Sequence, residues 1–168
     1  MKIAETPATD SESIIGRVVE VPVSELVKDQ AKYYMNLHFK VDKLDGNNAS
    51  SIFHCFDCVA EYVMRMSRKG LGKCTAVLDV VTKDGWKLQV TVGAMLNRKG
   101  NIAIKKKIST IISEIILPKS KEMNHDDFIK AVLAGVFQVK IKKTGSKVYP
   151  IRFCEVTKIE AMKVPQAA

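Results

Sequence analysis

No apolar run in this chain approaches the roughly twenty residues that a membrane-spanning helix requires. Its opening, MKIAETPATDSES, lacks the apolar stretch of a secretory signal. The expectation is an intracellular protein whose four cysteines stay reduced. Catalytic signatures are missing as well. There is no Gly-x-Ser-x-Gly elbow, no Walker loop and no dinucleotide fingerprint, which removes the common hydrolase, nucleotidase and dinucleotide-binding classes. Histidine occurs three times only. His38 falls on the polar side of an alternating run and His125 at a helix start, so both read as surface residues. Cysteine offers one tempting group, His54-Cys55-Phe-Asp-Cys58, with Cys74 and Cys154 standing alone. A structural zinc site wants a second matching pair, and redox use wants Cys55 at the start of a helix with a depressed pKa. The plainer reading takes the cysteines as small buried hydrophobes. No metal, cofactor or enzymatic activity is expected.

Acidic residues are also scarce in one part of the chain, and that scarcity is informative. The whole sequence holds 27 Lys and Arg against 18 Asp and Glu. Residues 1–64 contain 6 basic and 10 acidic residues, whereas 65–168 contain 21 and 8. So one-sided a distribution suits a surface that faces polyphosphate. The positive charge comes in three clusters: Arg65, Arg68, Lys69 and Lys73; Arg98, Lys99, Lys105, Lys106 and Lys107; and Lys140, Lys142, Lys143 and Lys147. Each includes a glycine-bearing loop beside an element end, where backbone can approach a phosphate closely. These thirteen residues are the candidate nucleic-acid contacts. The rival readings are a Cys55–Cys58 redox pair and a basic membrane-surface patch, and no bilayer contact is expected.

Periodicity supplies the elements. GRVVEV (16–21) reads as a short strand closed by Pro22, followed by a helical turn, SELV. From Lys32 to Asp42, Tyr33, Met35, Leu37, Phe39 and Val41 alternate with polar residues, which predicts a half-buried strand. A turn at 45–51 returns the chain as SIFHCF, and Asp57 is placed to cap a helix over 58–69. Residues 75–92 form two alternating runs about Asp84-Gly85, the pattern of a hairpin with a two-residue turn. A helix is expected from Asn124 through Leu133. Residues 136–145 are ambiguous: Phe137, Val139 and Ile141 alternate like a strand, yet Phe137 and Ile141 also fit a helical stripe. IRFCEVTKIEAM reads as the last strand. The economical architecture is one α+β domain over 14–163 with loose tails at 1–13 and 164–168. Its sheet is mostly antiparallel, with barrel-like closure as one form, and carries two to four packed helices.

Residues 98–118, RKGNIAIKKKISTIISEIILP, raise a separate question. Ile104, Ile108, Ile111 and Ile115 share a helical stripe, widened by Ile112 and Ile116, which marks a core face. Asn101 is placed to cap the start and Pro118 to mark the stop. Lys105, Lys106 and Lys107 lie one turn from a helix start, where positive charge gains nothing from the helix dipole. Their use lies outside the fold.

On these residues the chain resembles the S3a, or eS1, family of small-subunit ribosomal proteins of eukaryotes and archaea. GRVVEV at Gly16–Val21 is similar to the family's Gly-Arg-Val-x-Glu-Val start, and SELV to its Ser-x-x-Leu segment. IFHCFD matches Phe-His-Gly-x-Asp through Phe53, His54 and Asp57; LDVVTKDGW matches the Asp-Gly-aromatic hairpin; VYPI matches Ile-Tyr-Pro-Leu. The matches keep their order over about residues 14–163. The sequence departs from the family at Cys55, in place of glycine, and at Trp86, where tyrosine is usual. TKIE stands for a more basic pattern and keeps Lys158. Members usually carry a long basic N-terminal extension, whereas this chain starts almost at its first strand. The resemblance implies a structural protein of the cytoplasmic ribosome, on the small subunit's platform near the messenger exit. Its partners would be ribosomal RNA, neighbouring ribosomal proteins and messenger RNA near the exit. It also implies a helix for 136–145 and brings no catalytic residues. The alternative outside the ribosome is another nucleic-acid-binding module.

Overall fold

Strands form where the two-residue alternation predicts them. In a computed structural model, which describes residues 4–7, 11–27, 29–46 and 48–163, the chain divides into two units, Met1–Val59 and Ala60–Ala168. The class is α+β, with antiparallel pairing in both units. In the first unit β1 (Val18–Pro22), β2 (Met35–Asp45) and β3 (Asn48–Cys58) form an antiparallel meander. Met35, Leu37 and Val41 are buried on one side of β2, as the alternation requires. Pro22 ends β1, and α1 (Val23–Val27) follows at the SELV segment.

Three expectations for this unit need correction. Lys32 and Tyr33 do not belong to the strand. Asp29 accepts a hydrogen bond from the Ala31 N–H at 3.1 Å and winds Gln30–Lys32 into a 3-10 turn, because a short acidic side chain competes for local backbone donors. Asp57 does not cap a helix. It remains in β3 beside Asn36 and lies 3.1 Å from Nε2 of His38, so this histidine has a partner. The helix that follows, α2 (Ala60–Met66), is accordingly shorter than 58–69. Within the expected tail 1–13, Arg17 donates to Thr6 Oγ1 at 2.6 Å and to the Pro7 carbonyl at 3.0 Å, and Ser11–Ile14 forms a 3-10 turn. Residues 1–3 and 8–10 of that tail, and the tail 164–168, lie outside the described residues.

In the second unit β4 (Gly72–Val81), β5 (Lys87–Leu96) and β6 (Ile151–Lys163) pair antiparallel in the order β6-β5-β4. Neither ladder closes into a barrel. Leu88, Val90, Val92, Ala94 and Leu96 of the middle strand are at most 1% exposed; each of the four larger side chains stabilises by roughly 1.5–3 kcal/mol when fully buried, and the Ala94 methyl by about 0.8 kcal/mol. The helices of this unit are α2, α3 (Ile102–Glu122), α4 (His125–Leu133) and α5 (Val136–Gly145). Ile108, Ile112, Ile115 and Ile116 of α3 are buried, whereas Ile104 and Ile111 of the expected stripe are half-buried, so the core face is centred nearer Ile112 than the stripe predicts.

Pro118 does not stop α3, which runs one turn further to Glu122. Proline inside a helix costs about 3 kcal/mol. Burial of Ile115, Ile116 and Ser120 on either side of it keeps that turn in place. Residues 136–145 are helical, as the family resemblance implies and against the alternation. Phe137 and Ile141 are buried, while Val139 is 53% exposed. Phe137 packs its ring 5.3 Å from that of Phe128 on α4.

The β4–β5 hairpin forms, but its loop has three residues, 83–85. The Thr82 N–H donates to the Trp86 carbonyl, the Gly85 N–H donates to that of Thr82, and Gly85 takes a left-handed φ of 81°. This loop latches the start of α4. The Lys83 N–H donates to the Met123 carbonyl at 3.1 Å, and Asp84 accepts from the His125 N–H at 3.0 Å. Trp86 stacks on the His125 ring with centroids 4.2 Å apart and planes 21° from parallel. His125 is 7% exposed, so the surface reading of this residue is wrong. The tryptophan that marks the hairpin supplies the lid. Trp86→Ala is expected to destabilise by about 2–3 kcal/mol and Asp84→Ala by about 1 kcal/mol, read from urea melts. The double variant should lose less than the sum, since both act on one helix start.

Candidate nucleic-acid interface

Antiparallel pairing decides where the basic clusters meet. Gly72 at the start of β4 faces Leu96 at the end of β5, which faces Ile151 at the start of β6. The segments 67–71, 97–101 and 146–150 therefore gather at one end of the ladder. Backbone contacts bind them together. The Asn97 N–H donates to the Pro150 carbonyl at 3.1 Å. A Cβ on Gly72 would lie 2.8 Å from the Arg98 carbonyl oxygen and 3.2 Å from the Gly100 nitrogen, so the loop carrying Arg98 and Lys99 seats against β4 only because residue 72 has no side chain.

Two helices have their ends here. The thiol of Cys74 on β4 donates to the Lys105 carbonyl at 3.4 Å, which places the first turn of α3 over the start of that strand. Gly145, the last residue of α5, lies against Ile151. Arg65, in the last turn of α2, and Arg68 and Lys69 lead through left-handed Gly70 into β4. All three clusters thus belong to one end of one ladder. Twelve of the thirteen cations are exposed, and Lys105 is half-buried. Among the described residues none of the thirteen forms an ion pair; the pairs found are Lys32–Asp29, His38–Asp57, His125–Asp126 and Lys158–Glu160.

Charge within this unit is polarised. Its 21 Lys and Arg and 9 Asp and Glu divide by the strand registers and by α3, which runs from Lys105 beside Cys74 to Met123 beside Lys83. The near half holds the thirteen candidates and Arg152, against Glu61 and Glu155. The far half holds seven cations, Lys83, Lys87, Lys119, Lys121, Lys130, Lys158 and Lys163, and seven carboxylates. One end is strongly positive and the other balanced. Arg152 escapes a search for clusters because it sits alone inside a strand; only the pairing of β6 brings it to this end. The TKIE segment contributes little, since Lys158 is engaged by Glu160.

The lysines do not all need the same explanation. Lys142 and Lys143 occupy the last turn of α5, where positive charge complements the exposed carbonyls. Lys142 also opposes the burial that raises the pKa of Glu155, together with a hydrogen bond from Gln138. Lys105, Lys106 and Lys107 sit near the amino end of α3, where the dipole gives them nothing. Among the described residues no ion pair engages them either.

Cys55 and Cys58 do not have the placement that a redox pair wants. Cys55 and Cys58 lie three apart in a regular stretch of β3, so they point to opposite faces and neither begins a helix. Among the described residues no group of three or more metal-ligating side chains converges. Burial pushes the Cys154 thiol up to about 12, with Glu155 and Cys74 adding and Lys142 opposing, and burial raises Cys74 with Lys105 opposing. Thiolate is the reactive form, so Cys74 and Cys154 should resist iodoacetamide at pH 8 in the folded protein and react once urea unfolds it. Mass spectrometry of the labelled peptides reads this directly. A second test concerns the seating of the loop. Gly72→Ala should cost about 1–3 kcal/mol in a urea melt through overpacking, and should weaken polyanion binding although no charge is removed.

The chain is similar to known proteins along nearly its whole length. The sequence profile of the ribosomal S3Ae family matches residues 1–165. The small ribosomal subunit protein eS1 of Methanopyrus kandleri is 32% identical over 98% of this chain and 80% of its own length. That of Archaeoglobus fulgidus is 33% identical over 99% and 80%. That of Methanococcus maripaludis is 33% identical over 98% and 73%.

Proposed function

The chain belongs to the ribosomal S3Ae family, and from that premise we propose that it is a structural constituent of the small ribosomal subunit, held against ribosomal RNA by the basic end of the β4-β5-β6 unit. The observation that carries this reading is the grouping of fourteen cations with two carboxylates at that end, with none of the thirteen candidates in an ion pair. Exposed cations repel one another, and a phosphate backbone removes that repulsion while it releases its own counterions. Contacts of this kind fix position and orientation without reading sequence, which suits a component with one fixed place in a particle. The protein has no catalytic role in this reading. Its setting is the cytoplasmic ribosome, on the platform near the messenger exit, with neighbouring ribosomal proteins and messenger RNA as further partners; that location rests on the family resemblance.

Salt dependence tests the RNA contact. Each phosphate neutralised adds about 0.7–0.9 to the slope of log affinity against log salt. Replacing Arg98, Lys99, Lys105, Lys106 and Lys107 with glutamine should lower the slope by up to about 4 and leave the fold intact, with a thermal midpoint no lower than that of the wild type. An unaltered slope would remove the assignment. Cosedimentation of the native protein with small subunits separates the ribosomal reading from a nucleic-acid-binding module outside the ribosome.

A further inference from the structure

The start of β6 departs from regular pairing where the basic segments meet. Met95 and Leu96 are consecutive on β5, yet they face Phe153 and Ile151, so Arg152 is an extra residue in the ladder. A bulge of this kind re-aims the side chains that follow it. Its consequence here is specific. In a regular strand Phe153 would share a face with Ile151, which is 5% exposed in the core. With the extra residue Phe153 turns the other way and is 41% exposed, as the only exposed phenylalanine among the described residues. Arg152 is exposed too, with its guanidinium carbon 5.5 Å from the centre of the Phe153 ring. Cys154 then returns to the interior.

Charge surrounds this ring. Phe153 faces Met95, and Met95 faces Lys73 on β4. Neighbouring strands lie about 4.8 Å apart, so the Lys73 backbone is about 10 Å from that of Phe153 across the row. A single exposed aromatic is ordinary on a protein surface. One turned out of the core by a bulge, beside a guanidinium and at the positive end of a unit, has the composition of a stacking platform for single-stranded nucleic acid.

We propose that the Arg152–Phe153 bulge is a stacking site for an unpaired nucleotide base of RNA, with Arg152 and Lys73 serving the phosphates on either side of it. The inference rests on the reading of this end as RNA-binding and adds the class of RNA it takes: a strand with at least one base free of its helix. A duplex would engage the cations and leave the ring unused.

The test uses the full chain with two probes of equal length, a single-stranded oligoadenylate and a blunt RNA duplex. Phe153→Leu keeps an apolar side chain and removes the π-face. It should weaken single-strand binding about 5- to 150-fold, leave duplex binding and the salt slope unchanged, and be rescued by Phe153→Tyr. Phe153→Trp should bind as the wild type and show fluorescence quenching with the single strand only. Equal affinities of wild type and Phe153→Leu for the single strand overturn the proposal. If the five-residue glutamine variant still loses both probes, the RNA reading survives that failure. Loss of small-subunit incorporation by Phe153→Leu with RNA binding intact would also overturn it, by assigning the ring to a protein neighbour. If the wild-type chain binds neither probe, both readings fall.

Discussion

Hydrogen-bonded antiparallel pairing of three strands governs what this protein presents to its surroundings. A ladder of three antiparallel strands has two ends, and every connection is committed to one of them. Segments 67–71, 97–101 and 146–150 share an end because β4 begins, β5 finishes and β6 begins there. Were β6 parallel to β5, the lysines that end α5 would sit near the hairpin tip and the positive field would be divided. Bringing like charges together works against folding. Exposed pairs a few ångströms apart repel by about 1 kcal/mol in water, and salt screens them beyond roughly 8–10 Å. The middle strand alone buries Leu88, Val90, Val92 and Leu96 almost completely, each contributing up to about 3 kcal/mol. The core wins, and the repulsion stays on the surface as an unneutralised positive field.

Most elements were legible because burial leaves a period in the sequence. The Asp84-Gly85 hairpin, the isoleucine helix and the alternation of Met35, Leu37 and Val41 all reflect one face turned to a core. The failures share a cause: a short-range rule competed with something distant. Asp57 looks like a cap until His38, nineteen residues earlier, claims its carboxylate. Pro118 looks like a stop until the buried residues on either side of it are known. His125 looks exposed until Trp86 covers it. Residues 136–145 are a harder case. Two anchors four residues apart fit a helix, and a third hydrophobe two residues from each fits a strand. Only the exposure of Val139 separates them, and exposure is a tertiary fact.

The basic clusters could be read along the chain, but their meeting could not, since it depends on register. Register brings Arg152 to the others and turns Phe153 outward. The sequence did carry one signal that local structure cannot absorb. Lysines in the last turn of α5 have a use within the fold, as partners of the helix dipole, whereas the triplet at residues 105–107 opposes the dipole of α3. A residue pattern that gains nothing from its own helix points outward more reliably than a total charge does.

The two ends of the second unit are built by different means, and the difference follows from their tasks. The hairpin end is closed by Trp86 over His125, by Asp84 on the start of α4 and by carboxylates equal in number to the cations. The basic end uses none of these. Ion pairs there would neutralise the exposed charges, and a large apolar plug would separate the loops that carry them. Close packing is achieved instead by omission. Gly72 admits the backbone of Arg98 and Gly100, and Gly145 admits Ile151, so strands and helix ends approach without bulky side chains between them. The hairpin end is held by side-chain packing and a side-chain hydrogen bond, and the basic end by backbone fit. A change that strengthens this end with ion pairs would therefore weaken its attraction for any polyanion in proportion to the charges it neutralises.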